Sequence, residues 1–114
     1  MSRDPGLYLQ DIAEACRKVQ VLVKDLDLSM FREDWRTRDA VLHNLEVIGE
    51  AVKRLPDEMK DSIPGIPWKR IAGFRDVLAH AYFSLDDSIV WDVADTQMAA
   101  LHGAVKQMLA GLDG

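Results

Sequence analysis

The sequence lacks the features of a secreted or membrane-bound protein. Its single cysteine, Cys16, has no partner for an internal disulfide, which is typical of a reducing compartment. No apolar run approaches the roughly 18–20 residues that span a bilayer. The first five residues also lack the apolar core of a secretory signal. We therefore expect a cytoplasmic protein without a membrane segment.

Basic residues are also scarce. Lysine and arginine number 14 against 19 aspartates and glutamates, which gives a net charge of −5. Non-specific affinity for nucleic acid comes from neutralising many phosphates. This composition therefore excludes a protein that coats nucleic acid, and any chemistry on nucleic acid has to come from a local site.

The sequence has no internal repeat, no low-complexity segment and no stretch in which apolar residues alternate with period two. No sheet is expected, and 114 residues suffice for one domain but not for two. The prediction is a single all-α domain over residues 1–114. Apolar residues recur at alternating spacings of three and four, which indicates amphipathic helices.

The first helix is predicted from about Pro5 to Lys24, with Asp4 as its N-cap and Pro5 at its first position. Its apolar stripe includes Cys16, which we interpret as a small core residue rather than a nucleophile. Residues 25–36 are predicted to be a partly ordered connection.

That connection is expected to pack Phe31 and Trp35 against the bundle. The second helix is predicted from about Thr37 to Leu55, where Pro56 ends it.

The third helix is predicted from about Pro67 to Tyr82 or Phe83. A capping box at the start of the fourth helix has Ser84 as N-cap and Asp87 returning to it, and that helix extends to about Leu109. Four amphipathic helices with short connections pack best as an up-and-down bundle.

One residue of the third helix breaks the pattern. Its stripe consists of Trp68, Ile71, Arg75, Leu78 and Tyr82. Arg75 thus stands where an apolar residue is expected, and burying an unpaired guanidinium costs several kcal/mol. An internal carboxylate, a subunit interface or an anionic ligand has to offset that cost.

Arg75, His80 and Tyr82 together suit chemistry at a phosphodiester. Arg75 and Tyr82 share a helix face, and His80 is about 140° from Arg75. A histidine can move the proton of a ribose 2′-hydroxyl or of the leaving oxygen, and an arginine can pair with phosphate oxygens. No metal or other cofactor is required. By spacing alone, Arg75 can equally bridge to a carboxylate, His80 can cap the helix end and Tyr82 can be a core residue.

At these positions the sequence resembles a known family. Residues 68–83, WKRIAGFRDVLAHAYF, resemble the signature of HEPN domains. They are most similar to HepT-like ribonuclease toxins paired with minimal nucleotidyltransferase (MNT) antitoxins. The family motif is Arg, four residues, His, any residue, Tyr, which here is Arg75, His80 and Tyr82. Residues 44–55, NLEVIGEAVKRL, resemble a second family block, and residues 89–91 a third.

The resemblance spans about residues 8–109 and implies a four-helix bundle that forms a homodimer, with two motif helices lining a shared cleft. Arg75 and His80 would then be the catalytic pair of a metal-independent endoribonuclease acting on RNA. This would be the toxin of a type VII-like toxin–antitoxin system. The MNT antitoxin would neutralise it by transferring AMP to Tyr82, which adds a bulky anion at the phosphate site.

Three further residues are candidates for supporting the cleft. Asn44 and Glu50 lie in the second family-like block and are candidates for holding Arg75 or lining the groove. Asp76 follows the motif arginine, where many HEPN proteins have asparagine, and its charge would temper the phosphate affinity of Arg75. His43, Glu46 and Glu50 share a helix side, but one histidine without a second cluster is a weak metal site, so no metal is expected.

Two other functions remain open at this point. One is a non-catalytic HEPN subunit that binds a nucleotidyltransferase or a nucleotide, which the net charge of −5 favours mildly. The other is a purely structural bundle, in which substitutions of Arg75 or His80 change stability alone.

Overall fold

The computed structural model describes residues 3–80 and 84–113 of the chain. In these two stretches every regular element is helical, as predicted. The elements are α1 (Pro5–Val23), α2 (Leu28–Glu33), α3 (Trp35–Arg54), α4 (Asp57–Asp61), α5 (Trp68–His80), α6 (Asp87–Asp92), a π-helical segment (Val93–Gln97) and α7 (Met98–Asp113).

Aspartate side chains cap the first helices. Asp4 accepts a hydrogen bond from the Gly6 N–H at 2.8 Å, with Pro5 in the first turn, which confirms the predicted start of α1. Helix α3 begins at Trp35, two residues before the predicted start. The reason is Asp34, whose carboxylate accepts hydrogen bonds from the backbone N–H and the hydroxyl of Thr37.

The connection before α3 contains a short helix of its own. Phe31, in α2, is fully buried, and its ring centroid lies 5.4 Å from that of Trp91. Its predicted packing is therefore confirmed. The prediction for Trp35 was wrong, because its side chain is 66% exposed and lies beside the Arg36 guanidinium.

The predicted capping box before the fourth helix was also wrong. The N-cap of α6 is Asp86, which accepts hydrogen bonds from the backbone N–H and hydroxyl of Ser88. Asp87 instead forms an ion pair with Arg38 of α3. The Asp87 carboxylate thus binds a side chain of another helix, whereas the predicted capping box required it to return to the backbone of Ser84. The predicted end of the third helix, at Tyr82 or Phe83, lies outside the described residues.

The fourth predicted helix is interrupted by the π-helical segment. A π turn contains one residue more than an α turn, so it rotates the following residues by about 100° relative to a continuous α-helix. In a continuous helix Gln97 would face the core. In the structure Met98 takes that place and is buried, while Gln97 is half-buried.

The long helices enclose one hydrophobic core. Helix α1 packs against α3 and α7, and α3 packs in turn against α5. The first turns of α1 lie beside residues 43–51 of α3, whereas its later turns lie beside Ala40 and Asn44, so the two helices run antiparallel. Cys16 is fully buried in this core, as predicted, and burial raises the pKa of its thiol to about 12. In the described stretches, no helix is long and apolar enough to cross a membrane.

Candidate active site

The motif helix α5 lies very close to α3 at one point. A β-carbon built on Gly49 would overlap the Cβ of Arg75 and lie 3.4 Å from its Cα. Glycine in a helix interior costs roughly 1 kcal/mol, and here it allows the two backbones to approach. The close approach sets the position of Arg75 on the surface of α3.

Arg75 is paired with carboxylates from both helices. Its Nε lies 3.4 Å from Oε2 of Glu50 in α3, and its Nη1 lies 3.4 Å from Oδ1 of Asp76. Each carboxylate also pairs with a second cation. The Nζ of Lys53 lies 3.7 Å from Oδ1 of Asp76, and Arg54 binds Glu50 at 3.1 Å. The side chain of Arg75 is 38% exposed. Arg75 stands on the apolar stripe of α5, where burying its guanidinium would be costly. The Glu50 carboxylate and the partial exposure of the side chain together offset that cost.

Two of the three residues predicted to support the cleft therefore lie next to Arg75, namely Glu50 and Asp76. Asn44 lies elsewhere. It is buried, its Nδ2 donates a hydrogen bond to the Ala40 carbonyl at 2.8 Å, and it faces the later turns of α1. The structure thus brings two of the candidates together around the guanidinium and leaves Asn44 apart from them.

The two other motif residues follow Arg75 in the chain. His80 is the last described residue of α5, and it is exposed. Tyr82 lies outside the described residues. The predicted catalytic pair thus lies on one helix, with Arg75 half-buried against α3 and His80 open to solvent.

Beside Arg75 the surface forms a groove of about 310 Å³, which we call the α1–α3 groove. Arg75 and Glu50 lie at one part of it, Glu46 and His43 line its α3 side, and Tyr8 belongs to α1. Other lining residues include Arg3 and Asp11. In residues 3–80 and 84–113, no three His, Cys, Asp or Glu side chains are grouped so that they could hold a metal ion.

The α1 side of this groove was not predicted. Arg3, Tyr8 and Asp11 precede or begin an ordinary amphipathic helix, and their spacing contains no motif. A sequence pattern shows which residues share a face of one helix, but it does not show which face of α1 meets the end of α3. The ion pair between Lys53 and Asp76 has no sequence signal for the same reason.

The fold and the site define an all-helical protein with an arginine and a histidine on one partly exposed helix. A family model described as "Ribonuclease HepT-like" matches residues 12–108. The chain belongs to this HepT-like family.

Three relatives match this chain over nearly their whole length. A Thermococcus cleftensis protein named "Probable ribonuclease HepT" is 36% identical over 95% of this chain and 98% of its own. A Methanocaldococcus jannaschii protein, named as a candidate RNase, is 33% identical over 98% of this chain and 93% of its own. A third relative, from Caldanaerobacter subterraneus subsp. tengcongensis, is also named as a candidate RNase. It is 36% identical over 94% of this chain and 96% of its own. No solved structure matches the chain.

Proposed function

We propose that this protein is a metal-independent endoribonuclease, the toxin subunit of a HEPN/MNT toxin–antitoxin pair. The observation that carries the proposal is the Arg75 guanidinium, which is partly exposed beside the α1–α3 groove on the same helix as the exposed His80. Membership of the HepT-like family supports RNA as the substrate.

The reaction needs only groups that the chain and its substrate supply. The ribose 2′-oxygen attacks the adjacent phosphorus, the bond from phosphorus to the 5′-oxygen breaks, and a 2′,3′-cyclic phosphate and a 5′-hydroxyl result. The proton of the 2′-hydroxyl leaves as the new bond forms, and the 5′-oxygen gains one. His80 is the group that moves a proton, and Arg75 pairs with the phosphate oxygens as charge develops on them.

The partner and assembly belong to the same proposal. Two copies form a homodimer of up-and-down four-helix bundles in which the α5 helices line a shared cleft. An MNT-type nucleotidyltransferase neutralises the toxin by transferring AMP to Tyr82, two positions after His80 in the sequence. The adduct adds a bulky anion next to the catalytic pair and thereby excludes the RNA phosphate.

One observation favours a second function, that of a non-catalytic subunit which docks a nucleotidyltransferase or a nucleotide. Glu50 and Asp76 both lie 3.4 Å from the Arg75 guanidinium and compete with phosphate for it.

The test that separates the two functions is an RNA cleavage assay in EDTA. The purified protein, free of partner and with unmodified Tyr82, is incubated with total RNA and with a defined tRNA. We expect cleavage by the wild type and none by His80→Ala. A DNA strand of the same sequence stays intact, because it lacks the attacking 2′-hydroxyl. Intact RNA with a folded wild-type dimer would favour the docking subunit instead.

Expression in cells provides an independent test. The wild type is expected to arrest growth, and Arg75→Ala and His80→Ala are expected to abolish the arrest at equal protein levels. Arrest that persists in both variants would contradict catalysis by this pair.

A further inference from the structure

The α1–α3 groove extends the site beyond the catalytic motif. From Arg75 it reaches across α3 to the first turns of α1, and its volume of about 310 Å³ is at the lower end of the range for small-ligand sites. That space suits one nucleotide-sized group. The α1 residues of the groove precede residue 12, where the match to the family model begins.

The α1 side presents a planar cation on an aromatic ring. The Arg3 guanidinium lies 4.8 Å from the centroid of the Tyr8 ring, and its Nη1 binds Oδ2 of Asp11 at 2.9 Å. Tyr8 is half-buried and packs against the core. These contacts limit the orientations that the Arg3 guanidinium and the Tyr8 ring adopt. Unpaired RNA bases stack on such aromatic rings and guanidinium planes.

The charge along the groove determines which part of a nucleotide can lie where. Carboxylates from Asp11, Glu46 and Glu50 line it, against the guanidinium groups of Arg3 and Arg75. Among residues 3–80 and 84–113, no cation lies within ion-pair distance of Glu46, so a phosphate is disfavoured beside it. A neutral base, by contrast, can donate its amino or imino hydrogens to a carboxylate. The groove therefore favours a base in its middle and a phosphate at its Arg75 end.

We propose that the α1–α3 groove binds one unpaired RNA nucleotide next to the scissile phosphate, with its base against the Arg3–Tyr8 pair and its phosphate at Arg75. This inference rests on the proposed function for the identity of the substrate. It makes Tyr8 and Arg3 determinants of RNA affinity and of the position at which the strand is cut.

The test measures binding apart from cleavage. A labelled single-stranded RNA of mixed sequence is titrated against His80→Ala protein, with and without a second substitution. Tyr8→Leu is expected to raise the Kd about tenfold, the usual scale for losing one stacked base. Tyr8→Phe, which keeps the ring, is expected to retain the parent Kd. Arg3→Gln removes the guanidinium of the Arg3–Tyr8 pair. Because the Arg3 side chain is exposed, this substitution tests the pair without disturbing the core.

The chain offers a matched control. Trp35 also stacks with an arginine, Arg36, at 5.4 Å, but it lies at the start of α3, about 22 Å along the helix from Glu50. Trp35→Leu is expected to leave the Kd unchanged. Equal losses in Tyr8→Leu and Trp35→Leu, or an unchanged Kd in Tyr8→Leu and Arg3→Gln, would overturn the groove proposal.

Cleavage by the variants with an intact His80 separates this inference from the proposed function. We expect Tyr8→Leu to raise KM, to retain kcat and to broaden the set of cut positions. If RNA is cut with unchanged KM and unchanged positions, the groove proposal is wrong and the nuclease stands. If the wild type cuts no RNA but binding still depends on Tyr8, the nuclease is wrong and the groove stands as a binding site for an unpaired RNA nucleotide.

Discussion

The Arg75 guanidinium lies within 3.4 Å of two carboxylates, one on each side of the α3–α5 contact. Ion pairs at this degree of exposure contribute at most about 1 kcal/mol to stability. The pair with Glu50 therefore matters less for holding the fold than for limiting the directions in which the guanidinium can point. A catalytic group that is fixed before substrate arrives loses less entropy in the transition state.

Glu50→Gln tests this positioning role. The substitution keeps the shape of the side chain but removes the charge that orients Arg75. We expect kcat for RNA cleavage to fall about 10–100-fold, the scale for a misplaced catalytic group. KM is expected not to rise, because a carboxylate that repels phosphate has gone. Steady-state kinetics on a defined RNA measure both.

Arg54→Gln is the matched control, since it removes the other ion pair of Glu50 and leaves the one with Arg75. Its kinetics are expected to match the wild type. A rise in KM with unchanged kcat in Glu50→Gln would show that Glu50 contributes to binding and does not position Arg75.

At the scale of the residue, the sequence predicts correctly whether a side chain is buried when its place on one helix face determines this. Cys16 was assigned to the core from its stripe. Its burial raises the pKa of the thiol to about 12, so almost no thiolate exists at neutral pH. The prediction for Trp35 was wrong because residues 25–36 were expected to be one partly ordered connection that packs both aromatics on the bundle. Trp35 instead begins α3, and its ring is exposed there.

At the scale of the helix, two glycines differ sharply in their surroundings. Gly49 faces the backbone of α5, whereas a β-carbon on Gly73, in α5 itself, would meet no atom of residues 3–80 and 84–113 within 4 Å. Gly49→Ala is expected to destabilise the protein by about 1–3 kcal/mol through overpacking. Gly73→Ala is expected to stabilise it by up to about 1 kcal/mol through helix propensity. Denaturant unfolding of both variants gives the free energies.

A stabilising Gly49→Ala would mean that α3 and α5 are not in close contact at Arg75. Because Gly49→Ala forces α5 away from α3, it is also expected to weaken RNA cleavage. Gly73→Ala is the control for cleavage as well as for stability.

The sequence predicted helix boundaries to within a few residues. The errors fall where an aspartate side chain can either cap a helix or bind elsewhere. Asp34 caps α3, so the helix begins two residues before its predicted start. Asp87 was assigned to a capping box but pairs with Arg38, forty-nine positions away in sequence. Competition between a local cap and a distant ion pair depends on where α6 lies relative to Arg38 of α3, which no local pattern contains.

At the scale of the whole molecule, a net charge of −5 surrounds a site for an anionic substrate. Few phosphates can be neutralised at once, so RNA binding is expected to depend weakly on salt. The slope of log K against log[salt] is expected to be about −1.4 to −2.1, corresponding to two or three phosphates at about −0.7 each on a single strand. Fluorescence titrations of His80→Ala with labelled RNA between low and moderate salt measure it. A slope several times steeper would indicate a broad basic surface that the composition does not provide.

The sequence predicted the all-helical fold and the motif helix, because each of these follows from periodicity or from a family motif. Of the three candidates for the cleft, Glu50 and Asp76 lie beside Arg75 and Asn44 does not. It did not predict the α1 side of the groove. Arg3 and Tyr8 reach the site only because the start of α1 lies antiparallel beside residues 43–51 of α3. That placement is a property of packing between helices.

The π-helical turn at Val93–Gln97 also affects how the length of the chain can vary. A chain shortened by one residue inside this turn would form a continuous α-helix with Val90 and Met98 still facing the core. The same deletion within α7 would rotate everything beyond it by about 100° and expose Leu101 or Val105. The turn is therefore a place where the helix can lose one residue of its length without disturbing the core on either side.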